Sequence, residues 1–537
     1  MKSFRRFSTI MALLAAATIH AWGQPNPCPR FAAGSVVRNP PALYSKGGSL
    51  TVSLSYNTTT DTDGRTLYCF TTPSGTESPT LHVHPGDHLI VNVKNNLPKA
   101  TAASAMQMST NAALVCGATT MDSSSVNIHY HGTNVSPTCH SDEVIHTLIN
   151  SGETFTYNIA FPTDEPPGLY WYHPHVHGIA ETAVQGGASG AIIVDGIENV
   201  QPSVANVPER VLVVRDQIVA GNLAPGGPVP AWDLTLNYVP IAYPALTPAV
   251  IHMKYGAQEF WRVVNSSADT ILDLQVLYDG TPQTLLLVGI DGVPVGSQDG
   301  TRQGTLIPIT HMRLPPASRM EFLLTGPSAS VKSAQFMTQA IATGPNGDND
   351  TARTLATIVA GGAGDGTDPV PAVSGPPWAP RFADLPTATV TAKRKLYFSE
   401  NASQTQFFIT VEGQKPVVFS ADLPPAVVTT QGSVEDWTIE NRAQENHEFH
   451  FHQIHFLVLS QDNFQINGSQ PVVPIQNQLL DMIEIPYWDG NPAHPYPRVT
   501  VRMDFRGPDI GDFVYHCHIL NHEDQGMMAI IRVLPKQ

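Results

Sequence analysis

Near its end the chain reads YHCHILNHEDQGMM, Tyr515 to Met528, which sets a cysteine between two histidines. A third histidine follows that cysteine after five residues and a methionine after ten. Thiolate, imidazole and thioether are ligands that suit copper. On an extended strand, neighbouring side chains point to opposite faces and alternate ones share a face. His516 and His518 therefore face one way and Cys517 the other. Three further His-x-His pairs stand in related motifs: His129 and His131 in IHYHG, His173 and His175 in YHPH, His450 and His452 in FHFHQ. Each pair aims two imidazoles at one spot. Eight converging imidazoles exceed what a zinc site uses and point to a multinuclear copper cluster. Cys517, facing away, can hold a separate copper and give electrons a covalent path to the cluster through either neighbour. Two His, one Cys and a weak axial thioether make the blue-copper pattern. His522 and Met527 follow Cys517, and His447 precedes His450 by three, an odd offset that lets it face away from the cluster.

Repeats say what must position these ligands. GDHLIVNVKNN starts at Gly86, GAQEFWRVVNS at Gly256 and GSVEDWTIENR at Gly432, and each ends its strand pattern on Asn95, Asn265 or Asn441. A turn glycine before alternating apolar residues is a strand entry. Three copies at near-equal spacing indicate three versions of one β-domain. The expected divisions are 24–200, 201–368 and 369–537, with PVPAVSGPPWAPRF as a Pro-rich linker into the last. Domains one and three share GLYWYHPH at Gly168 and GDFVYHCH at Gly511, so Pro174 stands where the other copy has Cys517. Domain two has only His252 and His311 and neither copper motif. The fold class is all-β, built of two-sheet sandwiches with few amphipathic helices.

Bulk composition narrows the partners. The 537 residues carry a formal charge of −16, with 46 Pro and 41 Gly, which suits a turn-rich β protein and argues against nucleic acid as a partner. The first 23 residues hold Lys2, Arg5 and Arg6, then an apolar run and small residues, the pattern of a secretory signal peptide. Its removal takes three cations and moves the charge from −16 to −19. Arg5–Arg6 hints at twin-arginine export. With no later membrane span, the expected product is exported, periplasmic or secreted, and monomeric. Cys28, Cys69, Cys116 and Cys139 can form two disulfides in three connectivities, and Cys116–Cys139 would pin the loop from Lys99 to Ser125. Cys517 is left over for a metal. The same loop carries Met106, Met108 and Met121, a weak candidate for cuprous ion.

The sequence resembles the multicopper oxidase family, the laccase-like enzymes, over nearly the whole mature chain and at all four copper motifs. The resemblance implies three consecutive cupredoxin-like Greek-key domains and four copper ions: one type 1, one type 2 and two type 3. Carried onto this chain, type 1 copper takes His447, Cys517 and His522, with Met527 axial. Type 2 takes His129 and His450. The type 3 pair takes His131, His173, His175, His452, His516 and His518. Two residues depart from the family: Glu448 stands where proline is common, and Gln453 where glycine usually follows His-x-His.

The family reaction moves four single electrons from a reducing substrate to dioxygen, making two waters. Protons for it need acids near the cluster. Similar enzymes have one where Glu523 stands and another near the place of Asp142. His177, His140, His146, His455 and His494 read as structural, Met528 as core packing, and Trp261 and Trp437 as core. The leading expectation is a laccase-like oxidase of phenols or aromatic amines. Alternatives are a metallo-oxidase of cuprous or ferrous ions, a bilirubin-oxidase-type enzyme, or a non-catalytic cupredoxin scaffold or copper-storage protein. A Met-rich lid or an acidic cluster over the type 1 histidine would favour the metallo-oxidase, and neither is legible in the linear sequence.

Overall fold

Alternating burial runs along the longest strands: in Ser49–Thr60, Leu50, Val52, Leu54 and Tyr56 turn inward while their neighbours meet solvent. A computed structural model describes residues 26–100, 106–107, 115–221, 223–297, 304–361, 368–464 and 475–536. The expected leader and Met108 lie outside the described residues. The large sheets sort by chain position into three pairs, each a two-sheet sandwich, between residues 42–194, 209–360 and 392–534. All-β architecture in three consecutive sandwiches is thus what the chain adopts. Among the described residues no helix is long and apolar enough to cross a membrane.

The first and third sandwiches repeat one strand order around their histidines. In the first, Thr80–Val83, Gly190–Val194, Gly168–His173 and His129–His131 are successive neighbours. In the third, Val427–Thr430, Met528–Leu534, Gly511–His516 and His447–Phe451 take the corresponding places. Each sandwich therefore lays its two histidine strands side by side: His173 pairs with His129, and His516 with His450. One apolar core runs without a break from the second sandwich into the third, including Trp261 and Trp437. Both tryptophans are fully buried, and each donates its indole N–H to the glutamate two residues before it.

The repeated asparagine does the same work three times. Asn95 donates to the carbonyls of Ser124 and Ile149 and accepts from Leu97 N–H. Asn265 donates to Thr270 and Leu314 and accepts from Ser267. Asn441 donates to Glu445 and Ile485 and accepts from Ala443. All three are fully buried. An amide offers two donors and an acceptor, which is what the chain needs where it leaves a strand and turns inside the protein. Disulfides Cys28–Cys69 and Cys116–Cys139 both lie in the first sandwich, the second as the loop reading expects, and Cys517 is free and buried.

Asn265→Ala strands two buried carbonyls and one N–H, so it should cost about 2–4 kcal/mol. Calorimetry of the variant would show this as an earlier melting transition, and an unchanged thermogram would contradict the assigned role.

Candidate metal centre

Eight imidazoles meet where the first sandwich faces the third. His129, His131, His173, His175, His450, His452, His516 and His518 are each at most 1% exposed. Their arrangement has an approximate two-fold symmetry. His129 stacks on His452 and His131 on His450, both at 4.0 Å between centroids and 16° between planes. The second pairs match less tightly: His175 lies 5.0 Å from His516 and His173 5.4 Å from His518.

Hydrogen bonds fix which nitrogen faces inward. His173 Nδ1 lies 2.8 Å from the Pro174 carbonyl, His450 Nδ1 2.8 Å from that of Asp481, and His516 Nδ1 2.8 Å from that of Cys517. A carbonyl only accepts, so these Nδ1 atoms carry the proton and Nε2 keeps a lone pair. Nε2 of His129, His131, His173, His450 and His518 is buried with no protein partner among the described residues. His516 Nε2 lies 3.2 Å from His175 Nε2 and 3.1 Å from His452 Nε2. Three nitrogens each about 2 Å from one ion stand a little over 3 Å apart, so this triad is sized for a metal. His131, His173 and His518 form a second triad, with centroids 4.9–5.8 Å apart. His129 and His450 stand between them. Burial pushes all eight imidazoles below their usual pKa, and for most the neighbouring rings add to it. They are neutral donors, as metal binding requires.

The second site lies on the other side of Cys517. His447 Nδ1 and His522 Nδ1 are 3.1 Å apart, and Cys517 Sγ is 3.8 Å and 3.7 Å from them. Both ligand backbones are tied to Met527, whose N–H donates to the His522 carbonyl and whose carbonyl accepts from Cys517 N–H. Met527 is fully buried. Glu448 N–H points at Cys517 Sγ, 3.4 Å away, a bond that a proline at this position cannot make. Burial makes a lone thiolate costly here and raises the Cys517 pKa well above normal, so the sulfur needs a cation beside it.

Both predicted acids sit against the cluster. Asp142 accepts from His129 Nδ1 at 2.9 Å and from Tyr130 N–H at 2.9 Å. Burial raises its pKa well above the usual range, opposed by the Tyr130 N–H and the Gln453 amide. Glu523 is fully buried, 3.5 Å from His516 Nδ1 and 3.8 Å from His175 Nδ1. Neither of its carboxylate oxygens has a hydrogen-bond partner among the described residues, and burial, with the neighbouring Asp524, drives its pKa well above the usual carboxylate range. Asp524 accepts the N–H groups of Gly178, Ala180 and Glu181, which docks the short helix Leu520–Asp524 on the first sandwich.

Three features escaped the sequence reading. Arg319, from the second sandwich, grips the Asp481 carboxylate at 2.6 and 2.7 Å and reaches 3.3 Å from His131 Nδ1. His177 is half-buried on a cavity of about 480 Å³ that also reaches His175, Met121 and Met528. Most telling, a cavity of about 230 Å³ opens at His522 and is lined by Asp269, Asp348, Asp350 and Glu445, with Glu445 3.6 Å from His522 Nε2. The acidic cluster that the linear sequence does not reveal is therefore present. Its members lie up to 176 positions apart, and only folding joins them.

A buried donor set of this kind binds metal at the expense of the unfolded state. Stripping metal with a strong chelator should lower the melting temperature by about 8 °C or more, and copper should restore it. Equal melting of stripped and copper-loaded protein would argue against both sites.

Comparison with known proteins agrees with this geometry. The multicopper oxidase pattern matches residues 105–199 and again 389–537, which contain all twelve candidate ligands named above. A rice protein named multicopper oxidase LPR1 homolog 5 is 23% identical over 438 residues, 71% of this chain and 62% of the rice protein. A Bacillus stratosphericus laccase is 35% identical over 107 residues, which span 19% of this chain and 21% of the laccase. The structure of a Campylobacter jejuni multicopper oxidase, described as a metallo-oxidase, superposes with a TM-score of 0.67 at 21% identity, over 94% of this chain and 96% of that one. The three sandwiches are cupredoxin-like, and with both halves of its histidine cluster matched the chain belongs to the multicopper oxidase family.

Proposed function

We propose that the chain is a copper-dependent oxidase that draws single electrons from a small cationic donor, a ferrous ion foremost, at the His522 edge and delivers them to dioxygen at the histidine cluster. Four copper ions in the assigned sites would supply one-electron acceptance beside Cys517 and the four-electron reduction of dioxygen to water. The observation that carries the choice of donor is the acidic cavity at His522. Burial lifts all four lining acids above the usual carboxylate range, Glu445 to about 7, and for Asp269 and Asp350 neighbouring acids add to the shift. Carboxylates crowded in this way repel one another, and a bound cation relieves that repulsion. Their oxygens suit a hard divalent ion, whereas cuprous ion prefers sulfur, and among the described residues no Met or Cys lines this cavity.

The protein's own groups have distinct tasks in this reading. Glu445 and His522 meet the donor at the cavity floor. Cys517 joins that floor to His516 and His518 through one peptide bond on each side. Asp142 orients His129 through Nδ1. Glu523 holds a proton beside His175 and His516, where dioxygen reduction consumes protons. Aromatic amines, cationic when protonated, are the second reading, because Phe407 stacks on His522 at 4.2 Å and Trp232 also lines the cavity. The two disulfides support the exported location that the leader suggests.

Oxygen uptake by copper-loaded protein should be fast with ferrous ion and slow with a methoxyphenol given alone. The double variant Asp348→Asn, Asp350→Asn should raise the KM for ferrous ion about tenfold or more. Rapid phenol turnover with an unaltered ferrous KM would return the enzyme to the laccase-like reading. Glu523→Gln should slow oxygen uptake about 100-fold while anaerobic reduction of the Cys517 site by the donor keeps its rate. Equal slowing of both steps would remove Glu523 from the proton supply.

A further inference from the structure

The two His-x-His strands that face each other end differently. After His131 the chain has Gly132 at φ +84°, and after His452 it has Gln453 at φ +62°. Both are left-handed, a backbone that glycine adopts freely and glutamine does not. At Gly132 the reason for glycine is plain, because a Cβ there would collide with the Arg319 guanidinium and the Asp481 carboxylate. That ion pair backs the His131–His450 side of the cluster: Arg319 is 3.3 Å from His131 Nδ1, and the Asp481 carbonyl accepts from His450 Nδ1. At the other side the chain carries a strained, 2% exposed glutamine instead. Its Nε2 donates to Asp142 Oδ2 at 2.6 Å, across 311 positions of sequence and from the third sandwich to the first.

We infer that Gln453 is a positioning residue for the copper held by His129 and His450, acting by clamping Asp142 against His129. Asp142 meets three donors. Tyr130 N–H holds Oδ1, Gln453 holds Oδ2, and His129 Nδ1 lies 3.0 and 2.9 Å from the two oxygens. Tyr130 and His129 belong to the same strand as each other, so they orient the carboxylate only relative to that strand. Gln453 alone among the three comes from the opposite sandwich, directly after the ligand His452. It therefore sets Asp142, and through it the His129 ring, relative to the ligands of the third sandwich. Partners of this kind tune metal affinity by about 10–100-fold.

The inference rests on the copper reading of the cluster and is tested on the full chain. Gln453→Gly removes the amide and relaxes the backbone, so melting of the metal-stripped protein should stay the same or rise. Gln453→Met keeps the length without the donor. Both should lose the type 2 copper about tenfold more readily on dialysis against a graded chelator and show an altered type 2 paramagnetic resonance spectrum. Colour at the Cys517 site should persist. Type 2 spectrum and copper retention equal to wild type in both variants would overturn the role of Gln453. Wild-type protein that takes up no copper at all would overturn the copper reading, and this inference with it.

Discussion

Eight imidazoles buried together are held as neutral rings, most with a lone pair turned inward. Any one of them, protonated, would face like-charged neighbours in a low-dielectric place. That constraint explains the carbonyls behind His173, His450 and His516, each of which takes the Nδ1 proton and leaves Nε2 free. It also bears on the acids beside these rings, which are buried. Asp142 is fastened by donors from two sandwiches. Glu523 has no hydrogen-bond donor on either oxygen among the described residues, and burial pushes its pKa far above the usual carboxylate range.

The cavity at His522 obeys the opposite rule. There the crowding is of carboxylates, and among the described residues that line it His522 is the one basic side chain. In the proposed reading, buried acids at one ligand edge would receive a cationic donor, whose oxidation would pass one electron through the adjacent cysteine to the cluster. The distinction between oxidases of organic molecules and of metal ions is thus written at the donor edge, while the cluster remains common to both.

Much of this was legible in the linear chain because strand geometry is local. A period of two is enough to put His129 with His131 and to part Cys517 from its neighbours, and the three glycine-to-asparagine repeats mark the sandwiches. The Cys116–Cys139 bridge was one of the pairings that the cysteine positions left open. Arg319 and the acids at His522 were not legible for the converse reason. Arg319 is an ordinary strand-entry arginine until folding brings Asp481 and His131 to it. Asp269, Asp348 and Asp350 sit in turn-rich stretches of the second repeat, where acids are commonplace, and become a site only when that repeat docks on His522. Gln453 was visible as a departure from the family, but its partner across the interface was not.

The unbroken core between the second and third sandwiches has a consequence for how metal is captured. Each half of the cluster offers four imidazoles, and the middle sandwich is the tether that holds one half within reach of the other. Binding to the first half makes binding to the second intramolecular, with an effective concentration set by the stiffness of that tether. A flexible linker of the same span would spread the two halves over many separations and weaken capture. The copper-free middle repeat thus acts as the backbone of a chelator whose two arms are whole protein domains.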